Sequence, residues 1–197
     1  MYSTDGSIYK MTPIGVTLPK NPDDVSAIID ICNKNNTAVL PRGGGTSLSG
    51  QTVNSAVVMD FSKYMNNVLE INPEENYVIT ERGITIDNLN QRVKHTNLHF
   101  TPDPSTKSRA NGGGAMGNNS CGTHSVIYGK TVDQVKEMEV ILSDSSKAYF
   151  EEISGKALED KISLNNLEGK IYRDVMSMSS KYYDEIKSKY SKVNRRV

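Results

Sequence analysis

Val39-Leu40-Pro41-Arg42-Gly43-Gly44-Gly45-Thr46-Ser47-Leu48-Ser49-Gly50-Gln51 is the stretch on which the reading of this chain turns. The short apolar run at 38–40 predicts a strand that ends at Pro41. Three consecutive glycines follow, then two hydroxyls, another glycine and an amide. Glycine costs roughly 0.5–1 kcal/mol more than alanine to order in a regular element, so a run of three makes sense where backbone approaches a partner closely or takes positive φ. Successive N–H groups in such a turn form an anion-binding concavity. Thr46 and Ser47 add neutral donors, which suits a phosphate held without a covalent bond. The run has neither the Gly-Lys-Ser/Thr ending of a Walker loop nor the Gly-x-Gly-x-x-Gly dinucleotide fingerprint. A flexible surface loop is the plain alternative; the strand entry and the hydroxyls straight after the glycines weigh against it.

A second glycine-, hydroxyl- and amide-rich stretch runs from Thr101 to Gly122 through Pro102-Asp103-Pro104-Ser105 and Asn111-Gly112-Gly113-Gly114-Ala115-Met116-Gly117-Asn118-Asn119-Ser120-Cys121-Gly122, and Tyr128-Gly129 closes it. Two such loops predict two walls around one elongated polar ligand, for which a nucleotide with a pyrophosphate and a ring system is suited.

These two motifs, with Thr123-His124-Ser125 completing the second, resemble the FAD-binding domain of the vanillyl-alcohol-oxidase (PCMH-type) flavoprotein superfamily. Within it the chain is most similar to the branch that holds glycolate oxidase, D-lactate dehydrogenase and D-2-hydroxyglutarate dehydrogenase. The run 118–125 resembles the large members that carry an iron–sulfur module C-terminal to the flavoprotein part. The resemblance extends over about the whole chain. It implies an α+β fold of two α/β subdomains, one with a small mixed or parallel sheet and one with a larger antiparallel sheet, with FAD between them. The first would span residues 1–75 and carry the pyrophosphate loop 41–51; the second would span 76–197.

The resemblance also assigns contacts. Pro41, Arg42, Gly43, Gly44, Gly45, Thr46, Ser47, Gly50 and Gln51 are expected at the cofactor from the first motif, their backbone N–H groups and the two hydroxyls on the pyrophosphate. Pro102, Gly113, Gly114, Gly117, Asn118, Asn119, Ser120 and Gly122 are expected from the second, and Val140 near the adenine. The Arg42 side chain is open between a cofactor role and a structural donor to loop carbonyls. A loop at Glu81-Arg82-Gly83 passes near the flavin in the family, usually with proline where this chain has Arg82. Members that bind flavin covalently do so through a histidine just after the first glycines; Thr46 stands there, which implies dissociable FAD. Catalytic residues are unassigned and no metal site is expected.

In members the chain continues beyond this point into a substrate-binding cap. The sequence ends at Val197, so the cap is expected to be absent and the substrate-orienting residues with it. The activity implied is oxidation of a D-2-hydroxy acid by hydride transfer to FAD. The alternative is a stand-alone FAD-binding or electron-transfer subunit that needs a partner chain, and an iron–sulfur module is a further candidate partner.

Composition agrees without deciding. Lys+Arg and Asp+Glu each number 23 in 197 residues, so no basic surplus points to nucleic acid. No apolar run approaches the ~20 residues of a spanning helix, and the N-terminus has no signal pattern. Cys32 and Cys121 are the two cysteines, far apart in sequence, which favours a reducing cytoplasm over a disulfide framework, with membrane association only through partners. Asn21-Pro22-Asp23-Asp24 predicts a helix start, with Val25, Ile28, Ile29 and Cys32 on one face. Strands are expected at 14–18, 56–60, 68–72, 77–80 and 135–142, the last with a hairpin partner at 148–153. A helix capped by Thr85 presents Ile86, Leu89 and Val93. The longest helical pattern runs over 167–190, with Ile171, Val175, Met178, Tyr182 and Ile186 on one side and Met176 and Met178 read as core or interface filler. His95 and His99 read as surface residues; His124 lies in the second motif, near the expected cofactor.

Overall fold

In a computed structural model the described residues are 1–190; the end of the expected second subdomain, 191–197, lies outside them. They form two compact units, Met1–Val135 and a second that begins at Lys136.

The first unit is built on a parallel sheet. Strand β1 (Gly15–Thr17), helix α1 (Pro22–Lys34), β2 (Val39–Arg42) and β3 (Val57–Asp60) follow in sequence, and β3 lies between the other two. Asn21 caps α1 by accepting the Asp24 N–H at 2.9 Å, with Pro22 at the first helical position. Val25 and Cys32 are its buried residues, so Cys32 is a small core side chain. Because the strands are parallel, their C-terminal ends share one edge, where Arg42 is the register partner of Asp60. The glycine loop leaves the sheet at that edge, where ligands commonly bind in open parallel sheets.

A hairpin follows, β4 (Val68–Asn72) with β5 (Tyr77–Thr80), and then α2 (Ile86–Val93). Thr85 caps α2 by accepting the Asn88 N–H. Its apolar face joins Ile84, Leu89 and Val93 into a cluster covered by Val68, Ile71, Val78, Leu98 and Phe100. Positions 75 and 76 fall in the β4–β5 turn, so the strands on either side of that expected boundary are paired within one unit.

The second motif is not a loop throughout. Residues Gly112–Asn118 form a short helix, α3. Glycine is a poor helix former, but here the tertiary setting supplies what the sequence lacks. The Gly112 and Gly113 N–H groups donate to the Ile84 and Arg82 carbonyls at 2.9 Å each. Asn119, at φ 46°, closes the helix in the left-handed conformation. One further turn, α4 (Ser125–Tyr128), ends at Gly129.

In the second unit β6 (Glu137–Ile141) pairs antiparallel with β7 (Lys147–Glu151), as the hairpin reading expects. Glu137 accepts from the Tyr149 hydroxyl and holds that phenol up at about 12. The antiparallel part of the fold is thus two separate two-stranded ladders, β4–β5 and β6–β7, rather than one larger sheet among the described residues. Helix α5 (Gly155–Ser163) then packs on α6 (Leu167–Lys181), tied by Lys161 to Glu168 and by Arg173 to the Leu164 carbonyl. The expected single helix over 167–190 is broken at Tyr182, and α7 (Tyr183–Lys189) continues it. Weak helix formers Ser179, Ser180, Tyr182 and Tyr183 cluster at the break. Beyond the half-buried Ile171 its apolar side is not core: Val175 is 54% exposed, and Met176, Met178, Tyr182 and Ile186 are also exposed. No helix among the described residues is long and apolar enough to cross a membrane.

Candidate cofactor site

The two motifs meet at Asn111. The strip 109–113 is paired on one side with 82–86, through the bridge Thr85–Asn111 and the Ile86 N–H donated to the Ala110 carbonyl at 3.0 Å. On its other side lie Gly43 and Gly44. A Cβ on Gly43 would come within 2.9 Å of Asn111 Cγ, and one on Gly44 would overlap the Arg109 carbonyl. Gly44 is needed because backbone meets backbone there, and Gly43 because the Asn111 side chain fills the space a Cβ would take.

The first loop is asymmetric. Among the described residues the N–H groups of Gly43, Gly44, Gly45 and Thr46 have no protein acceptor. The Arg42 side chain, 8% exposed, lies behind them, against Gly45, which takes φ 65°. Its guanidinium donates to the Thr52 carbonyl at 2.7 Å and the Thr4 carbonyl at 2.8 Å and faces the Tyr2 ring. This decides the question left open by the sequence: Arg42 is a structural donor to loop carbonyls. A fixed positive charge beside a row of N–H groups that the described residues leave unpaired is an arrangement that attracts an anion. The Ser47 hydroxyl pairs with the Gln51 side chain and accepts the Gln51 and Ser49 N–H groups, so it shapes the turn. The Thr46 hydroxyl takes no part in these turn-shaping bonds.

On the second motif, Gly114 and Gly117 face open space, with nothing within 4 Å of an added Cβ. Gly113 instead packs on Arg82, where a Cβ would fall 2.9 Å from the Arg82 Cβ. Pro102 is fully buried, and Gly122 fits against the Pro102 and Asp103 backbone. Asn118 donates to the Ser120 hydroxyl, Asn119 accepts the Val132 N–H, and the Ser120 carbonyl accepts both the N–H and hydroxyl of Thr131. Val140 sits in the second unit, opposite Ala148. Asn111 was missed by sequence reasoning; it stands at the N-cap position of α3, yet its side chain makes no capping bond. It is 3% exposed, donates to the Gly83 carbonyl, and leaves its Oδ1 buried without a partner.

Asp103, at φ 50° between two prolines, organises the lower part of the motif. Its carboxylate takes the Lys107 ammonium at 2.7 Å and lies 3.9 Å from His124 Nδ1, whose ring meets Tyr128 edge-on. The Lys107 bond first, and then the nearby histidine charges, hold the Asp103 carboxyl below its ordinary range. A depressed carboxyl stabilises the fold above the unfolded value near ~3.9 and loses that contribution as pH falls through the folded one. The stability gap between wild type and Lys107→Met is therefore expected at pH 7 and should close below about pH 4, read by urea unfolding across pH. A gap unchanged at low pH would count against the pair.

The family model for the FAD binding domain matches residues 13–147. This chain belongs to the FAD-binding domain family. It is 33% identical over 196 residues to a D-2-hydroxyglutarate dehydrogenase of Pantoea ananatis, covering 98% of this chain and 19% of that protein. It is 34% identical to a glycolate oxidase subunit of Bacillus subtilis, over 73% of this chain and 31% of the relative. The D-lactate dehydrogenase of Kluyveromyces lactis is 32% identical over 66% of this chain and 23% of its own length. The chain thus spans about a fifth of the dehydrogenases it matches along its whole length. An alkyldihydroxyacetonephosphate synthase structure superposes with TM-score 0.61 at 22% identity, over 69% of this chain and 25% of that one, which shows the PCMH-type fold. The α+β architecture and the cofactor, FAD, follow from the family. The residues present fit that cofactor: an unclaimed row of N–H donors, an orphaned buried acceptor at Asn111 and a bare glycine face on α3.

Proposed function

We propose that this chain is the FAD-binding domain of an oxidoreductase acting on a D-2-hydroxy acid, with non-covalent FAD. The observation that carries the reading is the row of N–H groups at Gly43–Thr46, unclaimed among the described residues and backed by the buried Arg42 charge. That row, with the Thr46 hydroxyl, would hold the pyrophosphate. Gly114 and Gly117 would admit the cofactor to the second motif, and Asn118, Asn119 and Ser120 would line the same face. When bound, FAD would accept a hydride equivalent from the α-carbon of the hydroxy acid. The chain's own part is binding and orientation; Pro41, Gly50, Ser47 and Gln51 shape the loop, and Pro102 and Gly122 the second wall. The similarity to D-2-hydroxyglutarate dehydrogenases and D-lactate dehydrogenase supports the substrate class.

A second reading, an FAD-binding or electron-transfer subunit completed by a partner chain, is favoured by the match to a protein named as a subunit. Substrate contacts would then come from a cap or partner, with an iron–sulfur module as a further candidate. A cytoplasmic location belongs to the same proposal and rests on the two free cysteines.

Absorbance of the purified protein before and after heat denaturation tests the reading, with FAD titrated if the protein is colourless. Flavin released to the supernatant is the expected result. Flavin retained by the pellet would contradict the non-covalent assignment, and no binding of added FAD would overturn the seat at Gly43–Thr46.

A further inference from the structure

The N-terminal residues fold into a closed loop. The Met11 N–H donates to the Ser3 carbonyl at 2.9 Å, and Thr4 bridges antiparallel to Lys10. Inside it, Asp5 accepts the Ser7 N–H at 2.9 Å. This loop lies upstream of the residues matched by the family model and is fastened to the glycine loop from behind. The Asp5 Oδ2 accepts the Thr52 hydroxyl at 2.9 Å. The Thr4 carbonyl accepts from Arg42 at 2.8 Å. Gly6 donates its N–H to the Gly45 carbonyl at 2.9 Å. The Tyr9 ring packs on Gly50, which takes φ 78°.

The Gly6 bond has a directional consequence. In a planar trans peptide the C=O and N–H point opposite ways. Fixing the Gly45 carbonyl toward Gly6 therefore turns the Thr46 N–H away from the strap, to the open side. The strap likewise holds Arg42 through Thr4, and holds the loop's exit through Asp5 and Thr52, so the Gly45 carbonyl is fixed on the strap side and the Thr46 N–H is left free.

We infer that residues 2–9 are a positioning strap for the anion seat, holding Gly43–Thr46 with their N–H groups turned toward the FAD pyrophosphate. This rests on the seat proposed above. The strap makes no contact with the ligand itself; it acts through Arg42, Gly45 and Thr52.

The test compares Thr52→Val, which removes the hydroxyl, with Thr52→Ser, which keeps it, in the full chain, with Asp5→Ala as an independent variant. FAD affinity is read by flavin fluorescence, and the ligand-free loop by hydrogen exchange at 43–46. The expected result is a roughly tenfold weaker FAD affinity for Thr52→Val and Asp5→Ala, since a hydrogen bond to a charged acceptor is lost, with near-wild-type affinity for Thr52→Ser. Exchange at 43–46 should quicken in the two weakened variants. Wild-type binding with unchanged affinity in both variants would overturn the strap and leave the seat intact. Equal weakening in Thr52→Ser would make the effect one of packing and also overturn it. A wild type that binds no FAD would overturn the seat, and the strap's role with it.

Discussion

Gly44→Val is expected to give a folded protein that has lost FAD binding. A Cβ at this position would overlap the Arg109 carbonyl oxygen and come within 2.8 Å of its carbon. The obstacle is backbone on both sides, so no rotamer change relieves it, and the loop and the 109–113 strip must separate. Overpacking of this kind costs ~1–3 kcal/mol, and valine's branched side chain adds bulk to it. The separation displaces the Gly43–Thr46 N–H row from the Asn111 side of the site, so FAD affinity should fall at least roughly a hundredfold. Far-UV circular dichroism should change little, because neither β2 nor α3 includes Gly44. Fluorescence titration with FAD measures the loss. Affinity close to wild type would show that the contact with Arg109 does not set the site.

Ile84→Ala should destabilise the first unit by about 2–5 kcal/mol, a large part of the ~5–15 kcal/mol that folds a typical domain. Ile84 is 1% exposed and sits with Leu89 and Val93 beneath Val68, Ile71, Val78, Leu98 and Phe100. Removing its outer carbons leaves a cavity between α2 and the β4–β5 hairpin that this closely packed cluster fills only in part. The Ile84 carbonyl also holds the Gly112 N–H, so the loosened cluster lies directly under α3. A lowered urea midpoint with an unchanged slope is the expected observation. A loss under about 1 kcal/mol would mean that the cluster repacks and is not the core of this unit.

Much of this molecule is legible from its residues. Asn21-Pro22-Asp23-Asp24 and Thr85 start helices where they stand, because a cap acts within one turn of chain. The apolar runs at 39–40 and 57–59 become adjacent parallel strands, and the glycines after Arg42 mark a place where backbone is approached closely. The two motifs carry the family, which the match over 13–147 shows.

Other features depend on partners distant in sequence. The glycine run at 112–114 carries poor helix formers, and it is helical because carbonyls of Arg82 and Ile84, some thirty positions upstream, take its first N–H groups. The 3.6-residue stripe over 167–190 marks an apolar face correctly but does not say what covers it, and here that face is exposed beyond Ile171 and broken at Tyr182. Periodicity reports which side chains share a side, whereas burial depends on what packs against them. Arg42 could have met a phosphate; the carbonyls of Thr4 and Thr52 claim it instead. Local residue chemistry thus determined the caps, the strands and the glycine turn. Only the folded chain decided which hydrogen-bonding groups those turns leave free, because each group is claimed by whichever partner the fold brings to it.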